Sequence, residues 1–144
     1  MTVSFFELPA GNYWEGVARL VSYLFGTDKI AVYLEEKEHI RTLSRYLWDL
    51  PPSLLVPHGI AGERVDESID PVVLYPSSER STRPIAVLVA LLRSENVTHA
   101  SKIIEPIASD DVDRDRRRAR FRAYRDAGIK PAFVPWKEWV TRLR

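Results

Sequence analysis

Between Lys29 and Glu35 the chain reads IAVYL, five apolar residues in a row without alternation. A strand that shields only one face of a sheet alternates apolar with polar side chains, because successive Cβ atoms point to opposite faces. A short β-branched run that is apolar on both faces fits a strand with a packed layer above it and another below. The segment PIAVLVALL, residues 84–92, has the same character. As the most apolar run it is the candidate central strand, although periodicity alone leaves a buried helix open for it.

Stretches of helical spacing alternate with such runs. VSFFEL (3–8) is a short aromatic strand closed by the turn residues PAGN. From Asn12 onward Trp14, Val17, Ala18, Val21, Leu24 and Phe25 recur at helical spacing, with Gly26 placed to end the helix in a left-handed conformation. A second helix from residue 37 to about 50 gathers His39, Ile40, Leu43, Tyr46, Leu47 and Leu50 on one side and stops at Pro51 and Pro52. SLLVPH (53–58) and PVVLYP (71–76) read as further strands, and SKIIEPIA (101–108) as an edge strand, since Pro106 cannot donate to a neighbour. An arginine-rich helix then ends at Gly128, and KPAFVPW brings the chain back as a short last strand. GERVDESID and PSSERSTRP read as surface loops. This order predicts an α/β fold: a mostly parallel, Rossmann-like sheet with right-handed crossovers and helices on both faces, in a single domain spanning 1–144.

Composition narrows the functional classes. The 144 residues are 45% apolar and 28% charged, the balance of a soluble globular domain. No apolar run approaches the ~18 residues that cross a bilayer. The start MTVSFFELPAG lacks the basic and long apolar regions of a secretory signal, so the expectation is a cytoplasmic protein without a membrane partner. With no cysteine there are no disulfides, thiolate metal sites or cysteine nucleophiles. Net charge is only +1, so any electrostatic role must come from local segregation of charge.

A doubly wound sheet first invites a nucleotide-binding reading. The turn after the first strand, LPAGNYWEG, lacks the closely spaced glycines that let backbone amides approach a pyrophosphate, and no G-x-x-x-x-G-K-[ST] occurs. His39, His58 and His99 are scattered, with no metal-ligand spacing among them. His58, in VPHGIAGE, is placed at the end of a strand, where open α/β sheets hold their crevices, but no nucleophile accompanies it. No serine sits in a G-x-S-x-G elbow. These readings predict a protein with no catalytic residues, no metal and no cofactor.

Charge does segregate in one place. Asp110, Asp111, Asp113 and Asp115 open a window that turns basic at RRRARFRAYRDAG, residues 116–128. Acid at the start of a helix and base at its end match the helix dipole, so a capped, solvated helix is one reading. At 100° per residue, Arg114, Arg118, Phe121 and Arg125 fall within about 60° of one another. Arg117, Phe121, Tyr124 and Gly128 form an adjoining ridge, and Ala119, Ala123 and Ala127 collect on the far side as a strip suited to lie against the sheet. Guanidinium groups beside an aromatic ring suit a ligand that carries carboxylates and an apolar end. They equally suit single-stranded nucleic acid, with arginines on phosphates and rings on bases. Spacing leaves both open, together with Phe121 and Tyr124 as residues at the rim of the core.

FFEL, YLW (46–48), SLLVPHGIAGE (53–63), PVVLYP, AVLVAL (86–91) and RFRAYRDAG (120–128) occur in this order along nearly the whole chain. Together they resemble the chi subunit family of bacterial DNA polymerase III, whose R-[YF]-x-x-Y-R-x-x-G signature the last segment matches. The resemblance implies a Rossmann-like fold that has lost nucleotide binding, in a non-catalytic accessory subunit of a DNA-directed DNA polymerase. It also implies two kinds of partner: the acidic, phenylalanine-terminated C-terminal tail of the single-stranded-DNA-binding protein, and the psi subunit of the clamp loader or its equivalent. Some family members join a helicase through the psi-facing surface. Contact with DNA is then indirect, the alternative being a direct single-stranded nucleic-acid binder that uses the same helix. By position, the family's tail-binding residues fall on Arg114, Arg118, Phe121 and Arg122, with Phe121 standing where the family has a tyrosine. The psi or helicase surface falls on Trp48, Leu55, Val56 and His58.

Overall fold

Alternate side chains of the inner strands enter different packed layers, as an unbroken apolar strand requires. In the computed structural model, which describes residues 1–63 and 65–143 (of Ser94 and Glu95 the backbone only), the strand β2 (Ile30–Leu34) is buried at every position. Arg64, in the loop expected at GERVDESID, and Arg144 lie outside the described residues. Ile30, Val32 and Leu34 join one core cluster, while Ala31 and Tyr33 join the other. The remaining strands are β1 (Thr2–Glu7), β3 (His58–Ile60), β4 (Val72–Pro76), β5 (Ile85–Leu88), β6 (Lys102–Ile107) and β7 (Ala132–Val134). They form one parallel sheet in the order β3-β4-β2-β5-β6-β1-β7, the α/β, Rossmann-like arrangement expected.

The helices α1 (Tyr13–Leu24), α2 (Lys37–Trp48) and α4 (Trp136–Val140) cover the layer of Phe6, Val32 and Leu74. Helix α3 (Asp111–Asp126) covers the opposite layer, where Tyr124 packs with Phe5 and Ile103. The ends of α3 are set locally. The Asp110 carboxylate accepts the Asp113 N–H at 3.0 Å. At the other end Gly128 has φ +87°, and the Gly128 and Ile129 N–H groups return to the carbonyls of Arg125 and Tyr124, both at 3.0 Å. This is a glycine-dependent stop in which a side chain at the left-handed position would be strained.

Several expectations are corrected. Strand β6 is internal, not an edge. The carbonyls of Ser101 and Ile107 accept from Thr2 and Leu8 of the β1 segment, so odd positions of β6 turn their backbone groups to β1 and Pro106 turns to the other side. There the pairing of β5 stops with Val87 opposite Ile104, and the missing N–H of Pro106 meets no neighbour. SLLVPH is not a strand: Pro52–Leu54 form a 3-10 turn, the Leu54 N–H reaching the Pro51 carbonyl at 2.8 Å, and β3 begins only at His58. Strand β5 is central, as expected, but ends at Leu88. Beyond it, the carbonyls of Val89 and Leu92 accept from arginine side chains of α3 instead of a neighbouring strand. Helix α1 ends when Phe25 turns extended (φ −58°, ψ 124°), so Gly26 plays no left-handed role. Helix α4 is an addition. Its Trp139 is fully buried against Phe6 and Tyr23 and donates its indole N–H to the Glu7 carbonyl at 2.9 Å.

The rotation of α3 about its axis also differs from expectation. Ala119, Ala123 and Ala127 face solvent, while Arg117 and Tyr124 face the sheet. The cause is Glu105, the acidic residue of β6, whose side chain is wholly buried beneath the helix. A buried carboxylate requires cationic and hydrogen-bonding partners, and these outweigh the close approach that alanines would allow.

Candidate functional site

The C-terminal ends of parallel strands leave a crevice where the helices rise away from the sheet. Here Glu7 and Ile107, the last residues of β1 and β6, border a groove of about 330 Å³ together with Ala108, Arg114, Arg117, Arg118, Phe121 and Phe133. Residues 114–121 of α3 form one wall and β7 contributes Phe133. The 100° spacing that places Arg114, Arg118 and Phe121 on one side of the helix thus becomes a shared lining.

Each wall is held differently. Phe121 is half-buried, its ring centroid 5.2 Å from that of Phe5, which backs it from the sheet. Arg114 is half-buried, its Nη2 at 3.5 Å from the Ser109 carbonyl. Arg118 is exposed and makes no hydrogen bond or ion pair with the described residues, so its five donors are available to a ligand. Phe133 is 49% exposed, an apolar ring left open at the groove. Arg122 is exposed and stands outside the lining.

Beneath the groove lies the Glu105 network. Its carboxylate receives Nη1 of Arg117, Nε of Arg120 at 2.8 and 2.9 Å, and the Tyr124 hydroxyl at 2.8 Å. Arg117 also donates to the carbonyls of Leu88 and Val89 at 2.9 and 3.0 Å. Burial opposes the charge of Arg120, but hydrogen bonding and attraction from Glu105 prevail and raise its pKa. Burial and then the Glu105 charge push the Tyr124 phenol up. At the edge of this network Tyr13 is pushed up to about 12 by burial, with the positive charge of Arg117 opposing the shift. The network fixes the rotation of α3, and with it the direction in which Arg114 and Arg118 project.

The second expected surface is only partly assembled. Trp48 and Leu55 are exposed (55% and 41%). Val56 is not: it is fully buried in the α1–α2 layer. It follows a 3-10 turn and packs inward, so it offers nothing to a partner. His58 begins β3 and therefore sits at the N-terminal end of the sheet, opposite the strand-end crevices. Its Nε2 is 2.7 Å from Ser44 Oγ, its Nδ1 is 3.0 Å from the Val56 carbonyl, and its ring lies 4.7 Å from that of Trp48. Burial lowers its pKa. His58 thus supports Trp48 from beneath.

Glu7, Arg117 and Phe133 were not among the residues expected at the site. Phe133 lies in a strand the sequence does reveal, but nothing in its spacing tells that β7 pairs beside β1. Arg117 had a signal in Glu105, a charge inside the apolar run KIIEPI.

Among the described residues no group of histidine and acidic side chains could hold a metal ion, and no helix is long and apolar enough to cross a membrane. The family model for the DNA polymerase III chi subunit, HolC, matches residues 1–132. The DNA polymerase III subunit chi of Escherichia coli (strain K12) is 25% identical over 111 residues, covering 76% of this chain and 75% of that protein. Phe133 and helix α4 lie beyond the family match.

Proposed function

This chain belongs to the DNA polymerase III chi subunit family, an accessory subunit of the replicase, and we propose that its groove binds the acidic C-terminal tail of the single-stranded-DNA-binding protein, linking that protein to the clamp loader. The observation that carries the reading is the convergence of Arg114, Arg118, Phe121 and Phe133 on one groove. Arg118 and Arg114, one helical turn apart, pair with carboxylates along an extended tail. Phe121, backed by Phe5, and Phe133 form an apolar wall for a terminal phenyl ring. Arg122 adds charge just outside, attracting the acidic residues that precede the terminus. The chain itself performs no chemistry in this scheme.

The surface of Trp48, Leu55 and His58 is the proposed docking face for psi, its equivalent in the clamp loader, or a helicase. It lies at the opposite end of the sheet from the groove, so both partners can be held at once. Location in the cytoplasm follows from this replicative role.

A titration tests the groove reading. An acidic peptide ending in Asp-Pro-Phe should bind the intact chain, more weakly at higher salt, and the same peptide without its last residue should not. Equal binding of both peptides would remove Phe121 and Phe133 from the account. A second reading, direct binding of single-stranded DNA, is favoured by the exposed Arg116, Arg122 and Arg125 outside the groove. It predicts a steep salt slope with oligonucleotides and no affinity for the peptide.

A further inference from the structure

Strand β7 closes one side of the sheet and has a neighbour only in β1. The Thr2 and Leu8 N–H groups go to β6, so even positions of β1 face β6 and odd positions face β7. Phe5 lies opposite Phe133. In a parallel pair a residue bonds to the two neighbours of the one opposite it, so Phe5 engages Ala132 and Val134. The main-chain N–H and C=O of Phe133 therefore turn outward, to the open edge. Among the described residues no other group bonds to them.

Resting on the tail-binding reading of the groove, we propose that this edge takes the last residue of the acidic tail as an antiparallel partner. The ligand's terminal N–H donates to the Phe133 carbonyl, and its terminal carboxylate accepts the Phe133 N–H. Three observations point there. Pro131 and Pro135 bracket β7 and carry no N–H, so the edge offers Phe133 alone and gives a whole added strand little to pair with. A tail ending in proline and phenylalanine is matched to that, since its proline cannot donate and only the last residue can form the pair. Residues paired in this way keep their side chains on one face. Phe133 shares its face with Phe5, against which Phe121 packs, so the terminal phenyl ring falls on the apolar wall of the groove. The second carboxylate oxygen is left for Arg118, which is exposed on the same groove.

The main-chain amide of Phe133, followed by NMR in the isotopically labelled wild-type chain, is the direct readout. On titration with the acidic peptide ending in Asp-Pro-Phe, its proton should move downfield and its exchange with solvent should slow, in step with the signals of Arg118 and Phe121. The same peptide N-methylated at its terminal phenylalanine keeps the ring and the carboxylate but loses the donor. It should bind about tenfold more weakly. Movement of Arg118 and Phe121 with an unchanged Phe133 amide, or equal affinity of the two peptides, would overturn the inference and leave the groove reading intact. If no groove signal moved, the groove reading would fail and the inference with it.

Discussion

Arg120 grips Glu105 with two nitrogens: Nε lies 2.8 and 2.9 Å from the two carboxylate oxygens, and Nη2 lies 2.5 Å from Oε2. With Arg117 on the other side, a single buried acid holds two arginines of α3 against β6. Removing one partner from such a buried set leaves uncompensated charge. Glu105→Gln should therefore destabilise the chain by about 3–5 kcal/mol in denaturant unfolding. A loss below about 1 kcal/mol, the size of an ordinary surface change, would mean that the network does not hold the helix.

The same pair explains how far the sequence could be read. The unbroken apolar run of β2 needs two covering layers whatever surrounds it, and the alternation of such runs with helical spacing then gave the α/β class. Arg114, Arg118 and Phe121 share a side of α3 because helix geometry allows no other arrangement. The inward face of α3 was not legible in the same way. Eleven of the 16 residues of that helix are charged, so hydrophobic spacing had little to act on, and the alanine strip was the pattern that suggested an inward face. What decided the rotation was Glu105, remote in sequence. Phe133 joined the groove through a strand pairing, and Val56 left the opposite surface through a 3-10 turn, both set by tertiary packing.

His58 makes stability depend on pH below neutrality. Burial lowers its pKa from 6.5, so between that folded value and 6.5 the unfolded chain binds more protons than the folded one. Stability from this group is fully present above pH 6.5 and is lost as pH falls through the folded pKa. Unfolding free energies measured across this range should show a downward slope toward acid that His58→Asn reduces. An unchanged slope in the variant would assign the acid sensitivity to other groups.

The two halves of the proposed clamp-loader face should separate by substitution. Leu55 is exposed and Val56 fully buried, so Leu55→Asp should leave the melting temperature nearly unchanged, while Val56→Asp buries an unpaired charge and should unfold the chain. Leu55→Asp or Trp48→Ala should also abolish co-purification with clamp-loader components. Retained co-purification with both variants would place the docking surface elsewhere.

The groove itself is tested most directly by calorimetric titration of the acidic, phenylalanine-terminated peptide into wild type, Arg118→Ala and Arg122→Ala. A hydrogen bond to a charged group contributes about 1.5–3 kcal/mol, so Arg118→Ala should weaken binding by roughly ten- to a hundredfold. Arg122, exposed and outside the lining, should contribute less than about 1 kcal/mol, within roughly fivefold of wild type. Neither change should alter folding, since both side chains are exposed. Equal affinity of folded Arg118→Ala and folded wild type would contradict the assignment of this groove to the acidic tail.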